Sequence, residues 1–269
     1  MEVSHDDTRD IVRRICIGTA NASLRREDEK KALELAGLLH EIGRTLLRVA
    51  RRRGPLRIVD AAAGRGYVGI AAARLLAPRL GLPVHVTFIE RDTSRCAAIG
   101  AAWRACALED SLIACHANDV GDPSPWPQQP ELVVALHACG DATDRIIEQG
   151  TASLARNLLI IPCCVAGSLP SALRANHLAS SLGAPRHAEV RRRYVEAHVL
   201  AERVQALEAA GYHTETLAFV PSSVSPYNIA LRSRRVGESV RMHAARESLQ
   251  LLQSSDAVRL SSQSRCPGR

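Results

Sequence analysis

Lysine is nearly absent from this chain. Of the 35 basic residues only Lys30 and Lys31 are lysines, and the rest are arginines. Such a skew follows from coding-sequence composition as readily as from phosphate recognition, so the net charge of +7 leaves nucleic-acid contact open. Aromatics amount to 3% of the chain, which leaves little material for a platform on which successive bases stack. The 8 cysteines form no C-x-x-C pair, which excludes zinc-ribbon, zinc-finger and thioredoxin patterns. No apolar run approaches the ~18 residues of a membrane-crossing helix, so no membrane partner is expected. The first residues, MEVSHDDTRD, are acidic and lack an apolar core, so no secretory signal is expected. The cysteines are therefore expected to be reduced thiols in a cytoplasmic protein.

What is present is an ordinary globular balance, 46% hydrophobic and 23% charged over 269 residues. Leu35, Leu38, Leu39, Ile42, Leu46 and Val49 recur at the three/four spacing of one helix face. Ser23 is the expected N-cap, and Arg51, Arg52 and Arg53 precede the breaker Gly54-Pro55. Residues 1–53 thus read as a helical extension.

From residue 54 short apolar runs alternate with helical stretches. LRIVD, VHVTFIE, SLIACHA, ELVVALH and NLLIIP read as strands. Residues 66–77, 94–107, 142–155 and 188–210 read as helices. This alternation predicts an α/β fold, a parallel sheet with helices on both faces. YHTETLAFV and YNIALRS close the series, separated by PSSVSP. That link is too short for a crossover helix, so the last two strands should be antiparallel. The expected sheet domain is residues 54–235, and residues 236–269 read as a polar tail with a short helix.

Gly64, Gly66 and Gly69 form G-x-G-x-x-G between the first strand and the next helix. Such a loop brings backbone close to a ligand at a helix N-terminus, and suits a dinucleotide or a nucleoside-type cofactor. Asp60 stands four residues before Gly64, and Glu90 ends the next strand, where an acid can bind ribose hydroxyls. Asp119 follows the third strand in HANDV. The loop resembles the D-x-G-x-G-x-G of class I S-adenosylmethionine (SAM)-dependent methyltransferases, with Ala62 at the first glycine. A positive φ at Ala62 would be strained.

Two further segments stand at the carboxyl ends of the fourth and fifth strands, the ligand-binding edge of an open α/β sheet. They are His137-Ala-Cys-Gly-Asp-Ala-Thr-Asp144 and Pro162-Cys-Cys164. Together with D-x-x-x-G-x-G-Y-x-G, they make residues 25–233 similar to a particular family of class I methyltransferase domains. That family includes a eukaryotic tRNA 2′-O-methyltransferase and glutathione S-transferase C-terminal domain-containing proteins. The resemblance implies a Rossmann-like, seven-stranded sheet with an antiparallel terminal pair. It also implies SAM held by Asp60, Ala62, Gly64, Gly66, Glu90, Arg91, Asn118, Asp119 and His137. The tRNA enzyme's appended zinc-finger residues are missing, and Val165-Ala166-Gly167 replaces its histidine-containing stretch after P-C-C. RNA is the acceptor slightly favoured over protein.

Transfer to a hydroxyl requires proton removal, and imidazole titrates near neutrality, so His137 is the candidate base, with a structural loop contact as its other reading. Asp141 is the expected cap of the following helix, and Asp144 suits that helix's positive end. With one of the two as the cap, the other could orient His137 or the substrate. Cys139, Cys163 and Cys164 are expected at the substrate edge as small groups shaping the pocket. A Pro-Cys nucleophile is the rarer reading, and no metal is expected, since adjacent cysteines chelate one tetrahedral ion poorly. The competing functions are a non-catalytic module of this fold and an NAD-dependent oxidoreductase.

Overall fold

The structure, a computed structural model, describes residues 3–17, 24–49, 54–109, 112–183 and 188–254. Ser23 and Arg51 to Arg53 lie outside the described residues, as does the tail from residue 255. Helices α1 (His5–Ile17) and α2 (Arg26–Val49) come first. Strand β1 (Leu56–Ala61) leads into α3 (Tyr67–Ala71), a π-helical segment (Ala72–Leu76) and α4 (Ala77–Leu80). Then follow β2 (Val84–Ile89), α5 (Thr93–Ala105), β3 (Ile113–His116), β4 (Leu132–Ala138), α6 (Ala142–Ala152) and β5 (Asn157–Pro162). Helices α7 (Pro170–Ser181) and α8 (Ala188–Ala209), strands β6 (Tyr212–Ala218) and β7 (Ile229–Arg235), and α9 (Ser239–Gln253) complete the order.

The seven strands form one sheet in the order β3-β2-β1-β4-β5-β7-β6. All neighbours are parallel except β7, which runs antiparallel to both β5 and β6. Alternate residues face opposite sides. Ile58, Phe88 and Val134 point into a core shared with α1, α2, α3 and α5. Val59, Ile89, Val133 and Ile160 point into a second core capped by Ile146 and Leu207 of α6 and α8. The central strands are thus buried on both faces, which is why they read as near-continuous apolar runs.

The helix expected over 66–77 extends to Leu80 through the π segment. Pro78 explains the widened turn, because it lacks an N–H and crowds the carbonyl four residues back. Helix α1 falls within the helical extension expected over residues 1–53, whereas α7 was not among the expected helices. The buried face of α7 is Ala172, Ala175 and Ala179, residues that weakly mark an apolar stripe.

Helix α2 lies against the segment after β6 at a close approach. A Cβ on Gly37 would run into the Phe219 carbonyl oxygen and sit 2.6 Å from Val220 Cγ1. Gly37→Ala is therefore expected to destabilise the fold by about 1–3 kcal/mol. A denaturant midpoint equal to wild type would refute that packing.

Candidate active site

The glycine loop is built by two buried carboxylates. Asp60, at the end of β1, is 1% exposed, and its Oδ2 accepts the Gly69 N–H at 2.8 Å, pinning the first turn of α3. Glu90, just after β2, accepts the Gly64 N–H at 2.7 Å through Oε2 and the Asp92 N–H at 3.0 Å through Oε1. The parallel register of β1 and β2 pairs Asp60 with Phe88 and Ala61 with Ile89, so Glu90 follows two residues beyond Asp60 at the same sheet edge. Ala62 takes φ 55°, the left-handed conformation that costs a non-glycine residue about 1–2 kcal/mol. Gly64 takes φ 59°, and a Cβ there would meet nothing within 4 Å among the described residues, so this turn is open on that side. Gly66, at φ 75°, is the N-cap of α3.

Burial pushes Asp60 from its ordinary 3.8 up to about 7, helped by the charge of Glu90 and opposed by the Gly69 N–H. The folded protein thus retains a proton that the unfolded chain has released. The stability linked to this carboxyl is full below pH 3.8 and declines as pH rises through 7. Asp60→Asn is expected to remove that decline in denaturant midpoints measured between pH 4 and 8. An identical pH slope in the variant would contradict the assignment.

A cavity of about 670 Å³ opens beside this loop, lined among others by Asp60, Ala62, Gly64, His137, Lys31 and Tyr67. Of the expected cofactor residues, Gly66, Glu90, Arg91, Asn118 and Asp119 do not line it. Arg91 is exposed. Asn118 donates to Asp122 Oδ2 at 2.6 Å. Asp119 accepts the Gly121 N–H at 2.8 Å and pairs with Arg145 at 2.9 Å. Those bonds hold its carboxyl below the ordinary range, the Gly121 N–H foremost.

His137 owes its position to a bulge. Leu136 pairs with Ile161 and Ala138 with Pro162, so His137 is the extra residue on β4 and takes φ 61°. Its Nε2 lies 2.9 Å from Glu34 Oε2, and Lys31 Nζ lies 2.7 Å from the same oxygen. Burial raises the Glu34 carboxyl, but the bonds from His137 and Lys31 outweigh it and hold it at about 2. An ionised Glu34 requires the proton on Nε2, which leaves the lone pair on Nδ1 of the neutral ring. Nδ1 is buried and has no partner among the described residues. Such an orphan calls for a ligand group or water.

The expectation that Asp141 or Asp144 orients His137 is corrected by this geometry, since the carboxylate on the ring comes from α2. Asp141 is the N-cap residue of α6 but makes no side-chain capping bond, and pairs with Arg145 at 2.8 Å. Asp144 pairs with the buried guanidinium of Arg203, at 2.8 and 3.0 Å.

The cysteine expectation also changes. Cys139 and Cys163 form a disulfide, with Cα atoms 5.6 Å apart. They directly follow the paired residues Ala138 and Pro162 of adjacent strands, which brings them together. Both sulfurs lie near the His137 carbonyl, at 3.4 and 3.6 Å.

Glu34 and Lys31 were not apparent from sequence. A signal existed: Glu34, Leu38, Glu41 and Thr45 are all buried at helical spacing, so acids interrupt an apolar face.

No curated protein matches the sequence. Among solved structures, the magnesium protoporphyrin IX methyltransferase from Synechocystis PCC 6803, with bound SAH, is 14% identical, with TM-score 0.48, covering 84% of this chain and 93% of that one. The precorrin-6y C5,15-methyltransferase from Geobacter metallireducens is 13% identical, with TM-score 0.42, covering 72% and 87%. No described helix is long and apolar enough to cross a membrane. Residues 30–167, from the Glu34 helix past the paired cysteines, match the family model of a methyltransferase domain, and the chain belongs to that family.

Proposed function

We propose that the protein is a SAM-dependent methyltransferase whose acceptor gives up a proton on methylation. The observation that carries this reading is the open glycine turn held by Glu90 beside a cavity bounded by Asp60 and His137. The residues fit the cofactor. Each Glu90 oxygen accepts one backbone N–H, and its remaining lone pairs suit ribose hydroxyls. The backbone turn at Gly64 admits the ligand closely. Asp60 offers a buried acid that a ligand ammonium would draw into its charged form. SAM supplies an electrophilic methyl on a sulfonium, so the protein's work is orientation and proton handling.

His137 would receive the acceptor's proton at Nδ1, and Glu34 would stabilise the resulting imidazolium through Nε2–H. Lys31 keeps Glu34 ionised in this role. Arg91, Asn118 and Asp119 would sit beyond the cavity wall at the adenine end. Among acceptors we place RNA first, on the net charge of +7 and on the motif resemblance. The arginines of α8 add nothing to that case, since Arg192 and Arg193 pair with Glu189 and Glu196.

Calorimetry with SAM and SAH tests the cofactor. Absence of binding at millimolar cofactor, with the protein folded, would sink the proposal. Transfer of labelled methyl into a cell extract, followed by nuclease or protease digestion, assigns the acceptor class. Binding without any transfer would mark a non-catalytic module.

A further inference from the structure

The strand ends that carry His137 also gather three sulfurs. Cys139, Cys163 and Cys164 have their Sγ atoms all within 4.8 Å of one another. The Sγ atoms of Cys163 and Cys164 are 3.7 Å apart. Thiolates bound to one zinc at about 2.3 Å in tetrahedral array stand about 3.8 Å apart. Adjacent cysteines are poor chelators in a free peptide, yet here the turn after β5 already sets the required separation. Cys139 is brought from the neighbouring strand by the register that follows the His137 bulge. The scaffold under the sulfurs is rigid, with Ala138 and Ile161 buried in the sheet.

A second cavity, about 270 Å³, opens on this cluster. Cys163, Cys164, Arg193 and Arg203 line it. The same cavity leaves room for a fourth, exchangeable ligand, the arrangement of zinc sites that act on a bound group.

We propose that, once a dithiol reductant has opened the Cys139–Cys163 bond by thiol–disulfide exchange and been oxidised to its own disulfide, Cys139, Cys163 and Cys164 bind one zinc ion as three thiolates, with a fourth position open to the second cavity. Binding forms three Zn–S bonds and releases the protons of the thiols that were not already ionised. The site is independent of whether the neighbouring cavity holds SAM.

The test uses the full chain, reduced and stripped with a chelator, then titrated with Zn²⁺ against a chromophoric competitor and separately with Co²⁺. One zinc per chain and a thiolate-to-cobalt charge-transfer band are expected. Cys164→Ser and Cys139→Ser should each weaken zinc by more than ~100-fold, beyond the loss from removing an outer-shell partner. Cys164 is exposed, so its variant should keep the wild-type circular dichroism even if Cys139→Ser misfolds. No zinc bound by the reduced chain overturns the site. So does zinc affinity unchanged in Cys164→Ser.

Discussion

His137→Asn is expected to lower kcat for methyl transfer by ~10²–10⁴-fold, the usual contribution of a positioned general base. Affinity for SAH should fall far less than kcat, because the cradle formed by Gly64 and Glu90 does not involve this ring, which only lines the cavity wall. Glu34→Gln should reduce kcat less and leave KM for the cofactor unchanged, since it removes only the charge behind Nε2. The same variant carries a stability signature. The Glu34 carboxyl sits at about 2 against an ordinary 4.5. Its contribution is therefore present above pH 4.5 and is lost as pH falls toward 2. Acid titration of wild type and Glu34→Gln should diverge only above that window's floor. Equal kcat in His137→Asn and wild type would remove the base from the mechanism.

Glu90→Ala is expected to cost cofactor affinity about 3 kcal/mol, roughly 100-fold, the scale of one to two charge-assisted hydrogen bonds. Part of that loss comes from the free protein. Gly64 N–H and Asp92 N–H both donate to this carboxylate, so its removal frees the loop that the ligand must then order. Glu90→Gln keeps one acceptor oxygen and should fall between the two. Calorimetry with SAH measures all three proteins. Wild-type affinity in Glu90→Ala would show that the ligand sits elsewhere.

The layered α/β fold was legible in the sequence because burial on both faces leaves long apolar strands separated by helical periodicity. The short PSSVSP link identified an antiparallel closing pair. Its place in the sheet was not legible. β7 inserts between β5 and β6, and neighbour choice across a sheet depends on which edge is free when the chain returns. The position of the glycine loop beside Asp60 and Glu90 was legible because each stands at a strand end, but the backbone N–H groups that the two carboxylates accept were not. The partner of His137 was not. Asp141 and Asp144 are close in sequence, yet α6 turns both toward arginines. Glu34 is 103 residues away from His137 and arrives only because α2 packs on the sheet.

By itself, then, the sequence determined which residue types stand at the carboxyl edge: the glycines, the two acids, His137 and the three cysteines. Local periodicity and turn chemistry suffice for that, since both act over a few neighbouring residues. Tertiary structure alone decided which of them meet. The bulge at His137, the seat of α2 against it and the convergence of Cys139 with Cys163 and Cys164 all rest on strand register and helix docking. Those contacts join segments distant in the chain, and no local pattern encodes their distance.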